Sequence, residues 1–134
     1  MAVITVAREF CETTRSKEFF REINTMITEA LEALGVRDLG AKGISDITVG
    51  NRKILGSSMH RREGRIVYHA VLNLGENPVI FERYLRHPRR EPDYRQNRTH
   101  SEFVTSLERE GYNIEFKDLA TILNSYSNSI LPVC

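Results

Sequence analysis

Between Ile66 and Leu74 the chain alternates with a period of two. Ile66, Tyr68, Ala70, Leu72 and Leu74 fall on one side, and Val67, His69, Val71 and Asn73 on the other. Only an extended strand sorts side chains this way, so one face of this segment is expected to meet a core. Just upstream, Ile44–Val49 and Lys53–Leu55 are short strand candidates on either side of Gly50-Asn51. That pair supplies the positive φ of a tight hairpin. Gly56-Ser57-Ser58 is expected to break the second strand, and Arg61-Arg62-Glu63-Gly64 to form an exposed turn. Residues 44–74 therefore read as an antiparallel set of strands joined by short turns.

Helices flank this set. Phe19, Phe20, Ile23, Met26, Ile27, Ala30, Leu31 and Leu34 recur in steps of three and four, which puts one apolar stripe on one helix face. Thr14 or Ser16 can cap its start, and Gly35 can follow its end in a left-handed conformation. Phe19 and Phe20 share the stripe and are read as core, not as walls of a ligand pocket. Val3–Ala7 is β-branched and reads as an opening strand. Asn77-Pro78 starts a helix that stops near Leu85, before Pro88. Thr99-His100-Ser101-Glu102 spells a capping box for a helix ending at Gly111, and Phe116–Tyr126 carries a last apolar stripe. Strand, helix, strands, then helices is the order of an α+β fold: one largely antiparallel sheet with packed helices. At 134 residues the chain is a single domain, 1–134.

Charge and cysteine content narrow the function classes. Lys plus Arg is 19 and Asp plus Glu is 18, a net charge of +1, whereas a dedicated nucleic-acid protein shows a basic surplus. No apolar run approaches the ~18 residues of a membrane span, and the first residues lack the basic flank of a signal peptide. Cys11 and Cys134 are the two cysteines, and no Cys/His cluster with metal-ligand spacing exists. No partner in nucleic acid or membrane is expected, and the setting reads as cytoplasmic.

Asp46 to His69 is the stretch richest in groups able to do chemistry. Lys53 is one of four lysines, stands just after the tight turn and is followed by Gly56-Ser57. An ammonium there can lie against a carboxylate or phosphate, and a glycine lets backbone approach the same group. The same pattern also fits a solvated strand lysine. Asp46 can hold a cation, a ribose hydroxyl or Lys53, or simply start a turn. His69 is a lone histidine, equally at home as a structural or surface residue. Arg83 to Arg98 holds six arginines against Glu91 and Asp93, which suits an acidic protein partner or an internally paired loop; Tyr94 there reads as a loop anchor.

Ser45-Asp46-Ile47-Thr48-Val49-Gly50-Asn51-Arg52-Lys53-Ile54-Leu55-Gly56-Ser57-Ser58 resembles the lysine hairpin of the lipoate–protein ligase family, shared mainly with biotin ligases and octanoyltransferases. The strand Tyr68-His69-Ala70-Val71-Leu72 and the downstream Tyr84-Leu85-Arg86-His87-Pro88 and Pro92-Asp93-Tyr94-Arg95 extend the likeness over nearly the whole chain. The resemblance implies a biotin/lipoate ligase fold, related to class II aminoacyl-tRNA synthetase cores. It implies an enzyme that joins lipoate to ATP, with Mg²⁺, and passes the lipoyl group to a lysine of a lipoyl carrier domain. It makes Lys53 the catalytic lysine on the acyl-adenylate and Asp46, Gly56, Ser57 and His69 the substrate- and nucleotide-binding positions. Arg89, Arg90 and Arg95 become expected partner contacts. Two positions depart from the family pattern: Ser45 replaces an Asn, and Ala70 a Gly. Nothing between Met1 and Ile44 matches the family's Arg-Arg-x-x-Gly-Gly-Gly loop. The chain thus resembles the C-terminal portion of the ligase domain, and is expected to be inactive without a missing N-terminal half and prone to self-association. The rival expectation is a non-catalytic interaction module using residues 83–98. A cysteine-nucleophile route lacks its nucleophile, since Leu39-Gly40-Ala41-Lys42-Gly43 contains none.

Overall fold

The structure is a computed structural model and describes residues 1–9, 15–77 and 79–127. Five strands form one antiparallel sheet: β1 (Ala2–Glu9), β2 (Leu39–Lys42), β3 (Asp46–Val49), β4 (Arg52–Arg62) and β5 (Arg65–Leu72). Their spatial order is β1-β5-β4-β3-β2, with β1 and β2 at the edges. The helices are α1 (Ser16–Ala33), α2 (Val79–Tyr84), α3 (His100–Phe103) and α4 (Phe116–Ser127), with a 3₁₀ turn at Asp93–Arg95. The α+β architecture is the one expected. Cys11, Cys134, the Thr14 cap and Pro78 lie outside the described residues.

The alternation of residues 66–72 is realised in full. Ile66, Tyr68, Ala70 and Leu72 are buried against α1 and α4, through Phe19, Ile23, Ile27, Leu31 and Leu119. Each such side chain taken fully from water is worth about 1.5–3 kcal/mol, so this layer dominates the stability of the fold. One buried polar pair crosses it: the Tyr68 hydroxyl donates to Asn24 Oδ1 at 2.8 Å, and burial pushes the phenol up to about 12. Helix α1 ends as expected at Gly35, where the Gly35 and Val36 amides close back on Glu32 and Leu31. Its start differs. Arg15 precedes the helix without a side-chain cap, and Ser16 is the first helical residue, its hydroxyl accepting from Arg61.

Three further segments depart from the sequence reading. First, Gly56-Ser57-Ser58 does not interrupt β4, which runs for 11 residues. β5 pairs with all three of those residues, and β3 holds Gly56 from the other side. The turn that follows therefore shrinks to Glu63-Gly64, both at positive φ, because Arg62 and Arg65 already pair. Second, Leu39–Lys42 is a strand, although its short, glycine-containing sequence carries little β signal. Third, the Thr99 capping box is present with both reciprocal bonds, yet α3 stops at Phe103. Val104 turns extended and bridges to Lys53, and the Thr105 amide donates to the Lys53 carbonyl at 2.9 Å. Pairing with the start of β4, beyond the reach of β5, outcompetes continuation of the helix.

Candidate functional site

A two-residue turn with Gly50 at φ 57° delivers the chain from β3 into β4. Simple alternation from there would aim Lys53 and Leu55 at the same face. A β-bulge prevents this: Ile47 pairs with Leu55 and Thr48 with Lys53, leaving Ile54 as the extra residue. Ile54 and Leu55 both turn into the core, at 2% and 1% exposure. Lys53 is thereby re-aimed onto the outer face with Asp46 and Gly56. Its Nζ lies 3.1 Å from Asp46 Oδ1.

Gly56 makes room for this contact. A Cβ there would stand 2.8 Å from Lys53 Cε and 2.9 Å from its Nζ. Gly56→Ala is therefore expected to displace the ammonium while costing little stability, since the obstructing atoms end a flexible side chain. A melting curve shifted by only a few degrees, with the Lys53 side-chain NMR signals displaced, is the expected result.

Asp46 is nearly buried and receives three donors. Lys53 and the Ser45 hydroxyl (3.3 Å) approach Oδ1, and the Tyr94 hydroxyl donates to Oδ2 at 2.7 Å. Ser45, where the ligase pattern has Asn, thus still supplies a donor. Tyr94 comes from the 3₁₀ turn, and its ring rests on Phe103 at 5.0 Å between centroids. Burial, then the charge of Asp46, raises the Tyr94 phenol far above its ordinary value, so it acts as a neutral donor. Phe103 also carries Arg95 at 4.9 Å, Arg98 at 5.4 Å and Lys53 at 6.0 Å over its ring.

Beside Lys53 lies an open slot of about 310 Å³, walled largely by Gly56, Val71, Leu85, Phe103 and Val104. The slot joins apolar walls to the Lys53 ammonium, with Arg95, His100 and Met1 also on its lining. That combination suits an amphiphilic ligand with an anionic head.

The other sequence candidates take different places. The Ser57 amide and hydroxyl both donate to the Ser45 carbonyl, at 3.0 and 2.7 Å, which ties β4 to the entry of β3. His69 shares the outer face but stands away from the slot, exposed and hydrogen-bonded to Thr5 at 3.0 Å. Arg89 and Arg90 are exposed. Arg95 is not a surface residue: at 4% exposure it turns inward, its Nε donating to the Arg98 carbonyl at 3.0 Å and pairing with Glu91 at 3.4 Å. Its part in the expected docking surface is corrected to that of a clasp inside the loop. From sequence alone Tyr94 reads as a loop anchor, and Phe103 has no marked role. Their approach to Asp46 and Lys53 depends on chain folding that no local pattern encodes.

A resident metal does not fit here. Both Asp46 oxygens are engaged, and no group of three His, Cys, Asp or Glu side chains among the described residues could hold an ion. No described helix is long and apolar enough to cross a membrane.

Residues 3–126 match the family described as the lipoyl protein ligase A/B catalytic domain. No curated protein matches the chain by sequence. Among solved structures, a lipoate–protein ligase A bound with ATP superposes with TM-score 0.73 at 19% identity, covering 96% of this chain and 51% of that one. The bi-partite lipoate protein ligase of Thermoplasma acidophilum, described together with its E2 lipoyl domain as an archaeal lipoylation system, gives 0.75 at 16%, over 96% and 50%. The biotin protein ligase of Aquifex aeolicus with biotin and ATP gives 0.66 at 13%, over 95% and 48%. The chain thus shares the biotin/lipoate ligase fold and spans about half the length of these structures. With the family match running over nearly its whole length, the chain belongs to the lipoyl protein ligase A/B catalytic-domain family.

Proposed function

We propose that this chain forms part of a lipoate–protein ligase that couples lipoate to ATP and transfers the lipoyl group to a lysine of a lipoyl carrier domain in the cytoplasm. The observation that carries this reading is the Lys53 ammonium, held by Asp46 at 3.1 Å beside a mostly apolar slot. The slot suits an acyl chain, and the ammonium suits the carboxylate and phosphate between which negative charge moves. A preorganised cation favours that charge without reorganising during the reaction. ATP enters as its magnesium complex, a substrate. Gly56 provides close approach at the ammonium, and Asp46 orients it. Ser57 fastens β4 beside the ammonium to the entry of β3 through the Ser45 carbonyl, and His69 lies on the more distant part of the outer face.

In this reading the slot is completed by protein outside residues 1–134. The half-length coverage of the solved ligases supports it, as does β1, which pairs only with β5 among the described residues. Self-association through the same edge is the competing arrangement. Isothermal titration with a non-hydrolysable lipoyl-adenylate mimic tests the proposal, with and without the remaining portion of the ligase domain supplied. Tight binding in the completed protein is expected. Absence of binding in both samples would overturn the ligase reading in favour of an interaction module.

Arg89 and Arg90 are proposed to meet acidic groups of the carrier. Arg89→Glu with Arg90→Glu is expected to slow transfer to the carrier about tenfold while leaving adenylate formation within about twofold, since exposed rim charges act mainly on encounter. Equal losses in both steps would count against docking there.

A further inference from the structure

We propose that Tyr94 is a positioning residue for Lys53, acting through Asp46, and that the turn carrying it is clamped to the lysine hairpin for this purpose. The inference rests on the role proposed above for Lys53. Its geometry stands without that role.

A carboxylate beside an ammonium can hold it in two ways. With both oxygens free it can turn both toward the cation and engage two of its N–H groups. With one oxygen occupied it holds the cation by the other alone, and the remaining N–H groups of the ammonium stay available. Asp46 is in the second state: Tyr94 occupies Oδ2 at 2.7 Å, and Lys53 meets Oδ1 at 3.1 Å. The phenol is well suited to this task, because burial and the facing carboxylate keep its proton in place.

The turn around Tyr94 is built to stay where it is. Gln96 and Asn97 adopt successive left-handed conformations, at φ 54° and 59°, which reverse the chain behind it. Arg95 and Arg98 exchange bonds to each other's carbonyls, at 3.0 and 2.9 Å. Arg98 also donates to the Tyr94 carbonyl at 2.7 Å and to the Asn51 carbonyl at 2.9 Å. Asn51 lies in the very turn that leads to Lys53. The Tyr94 turn and the lysine hairpin are therefore fastened twice, at Arg98–Asn51 and at Tyr94–Asp46. The first bond sets the distance between them and the second sets the carboxylate.

The test is Tyr94→Phe in the full chain. Phenylalanine keeps the ring on Phe103 and removes only the hydroxyl. Lysine labelled with ¹³C at Cε reports the site directly, since the chain has four lysines and hence four signals. The Lys53 signal is expected to move in Tyr94→Phe, and Tyr94→Phe added to Asp46→Ala is expected to move it no further. In the completed ligase domain, affinity for the lipoyl-sulfamoyl-adenosine probe is expected to fall about threefold to tenfold. An unmoved Lys53 signal would overturn the proposal, as would a Tyr94→Phe effect that persists without Asp46. If the wild type binds no probe, the ligase reading fails, while the NMR comparison still decides the role of Tyr94.

Discussion

Lys53→Ala is expected to reduce acyl-adenylate formation by about 10²–10³-fold or more in the completed ligase domain, the usual loss when one preorganised charge partner is removed. Little stability is lost with it. The side chain is partly exposed, and its pair with Asp46 is one of three contacts to that carboxylate. Asp46 keeps its bonds from Tyr94 and Ser45, so no bare charge is left buried. The expected change in stability is about 1 kcal/mol, a few degrees in melting temperature. Pyrophosphate release measured beside a thermal melt separates the two effects. Normal adenylate formation by Lys53→Ala would remove the proposed role, and a protein that fails to fold would show the lysine to be structural. Lys53→Arg distinguishes charge from shape: its planar, longer head clashes with the space made by Gly56, so only partial recovery is expected.

Phe103→Ala is expected to have the largest effect on stability of any substitution near the site, about 3–5 kcal/mol. Phe103 is 3% exposed and lies under Tyr94, Arg95 and Arg98. Its removal opens a cavity beneath the two guanidinium groups and the phenol, and takes away the ring face near Lys53 as well. The expected fall in melting temperature is at least about 10 °C for a domain of this size. Phe103→Leu restores most of the volume but not the ring face, and is expected to recover more than half of the loss. A melting temperature within a degree or two of wild type for Phe103→Ala would show that the loop is held by its backbone bonds alone.

The parts legible in sequence were those whose signal is local and periodic. Ile66–Leu72 alternates because one neighbour is water-facing and the other is core, and the α1 stripe repeats for the same reason. Gly50-Asn51 and the Thr99–Glu102 capping box are local bonding patterns and were equally readable. What was not readable depended on distant partners. Gly56 looked like a strand breaker because the benefit of a missing side chain is realised only once Lys53 folds over it. The bulge at Ile54 is invisible in a string of apolar residues, yet it decides which way Lys53 points. Arg95 could not be told from Arg89 and Arg90 by charge, since what separates them is the ring of Phe103. Tyr94 lay in the resemblance to the ligases, but its bond to Asp46 spans two separate parts of the chain.

The bond from the Thr105 amide to the Lys53 carbonyl ties residues about fifty positions apart. Hairpins and α1 can form from near neighbours, whereas this tie must wait for the chain to return. The same holds for β1, whose Ala2 pairs with Leu72 of β5 across a still longer stretch of chain, so the lysine cluster and the sheet edge both depend on long-range closure. A tie of this kind can open locally while the hairpins on either side keep their own bonds, so access to the slot beside Lys53 need not require unfolding of the sheet.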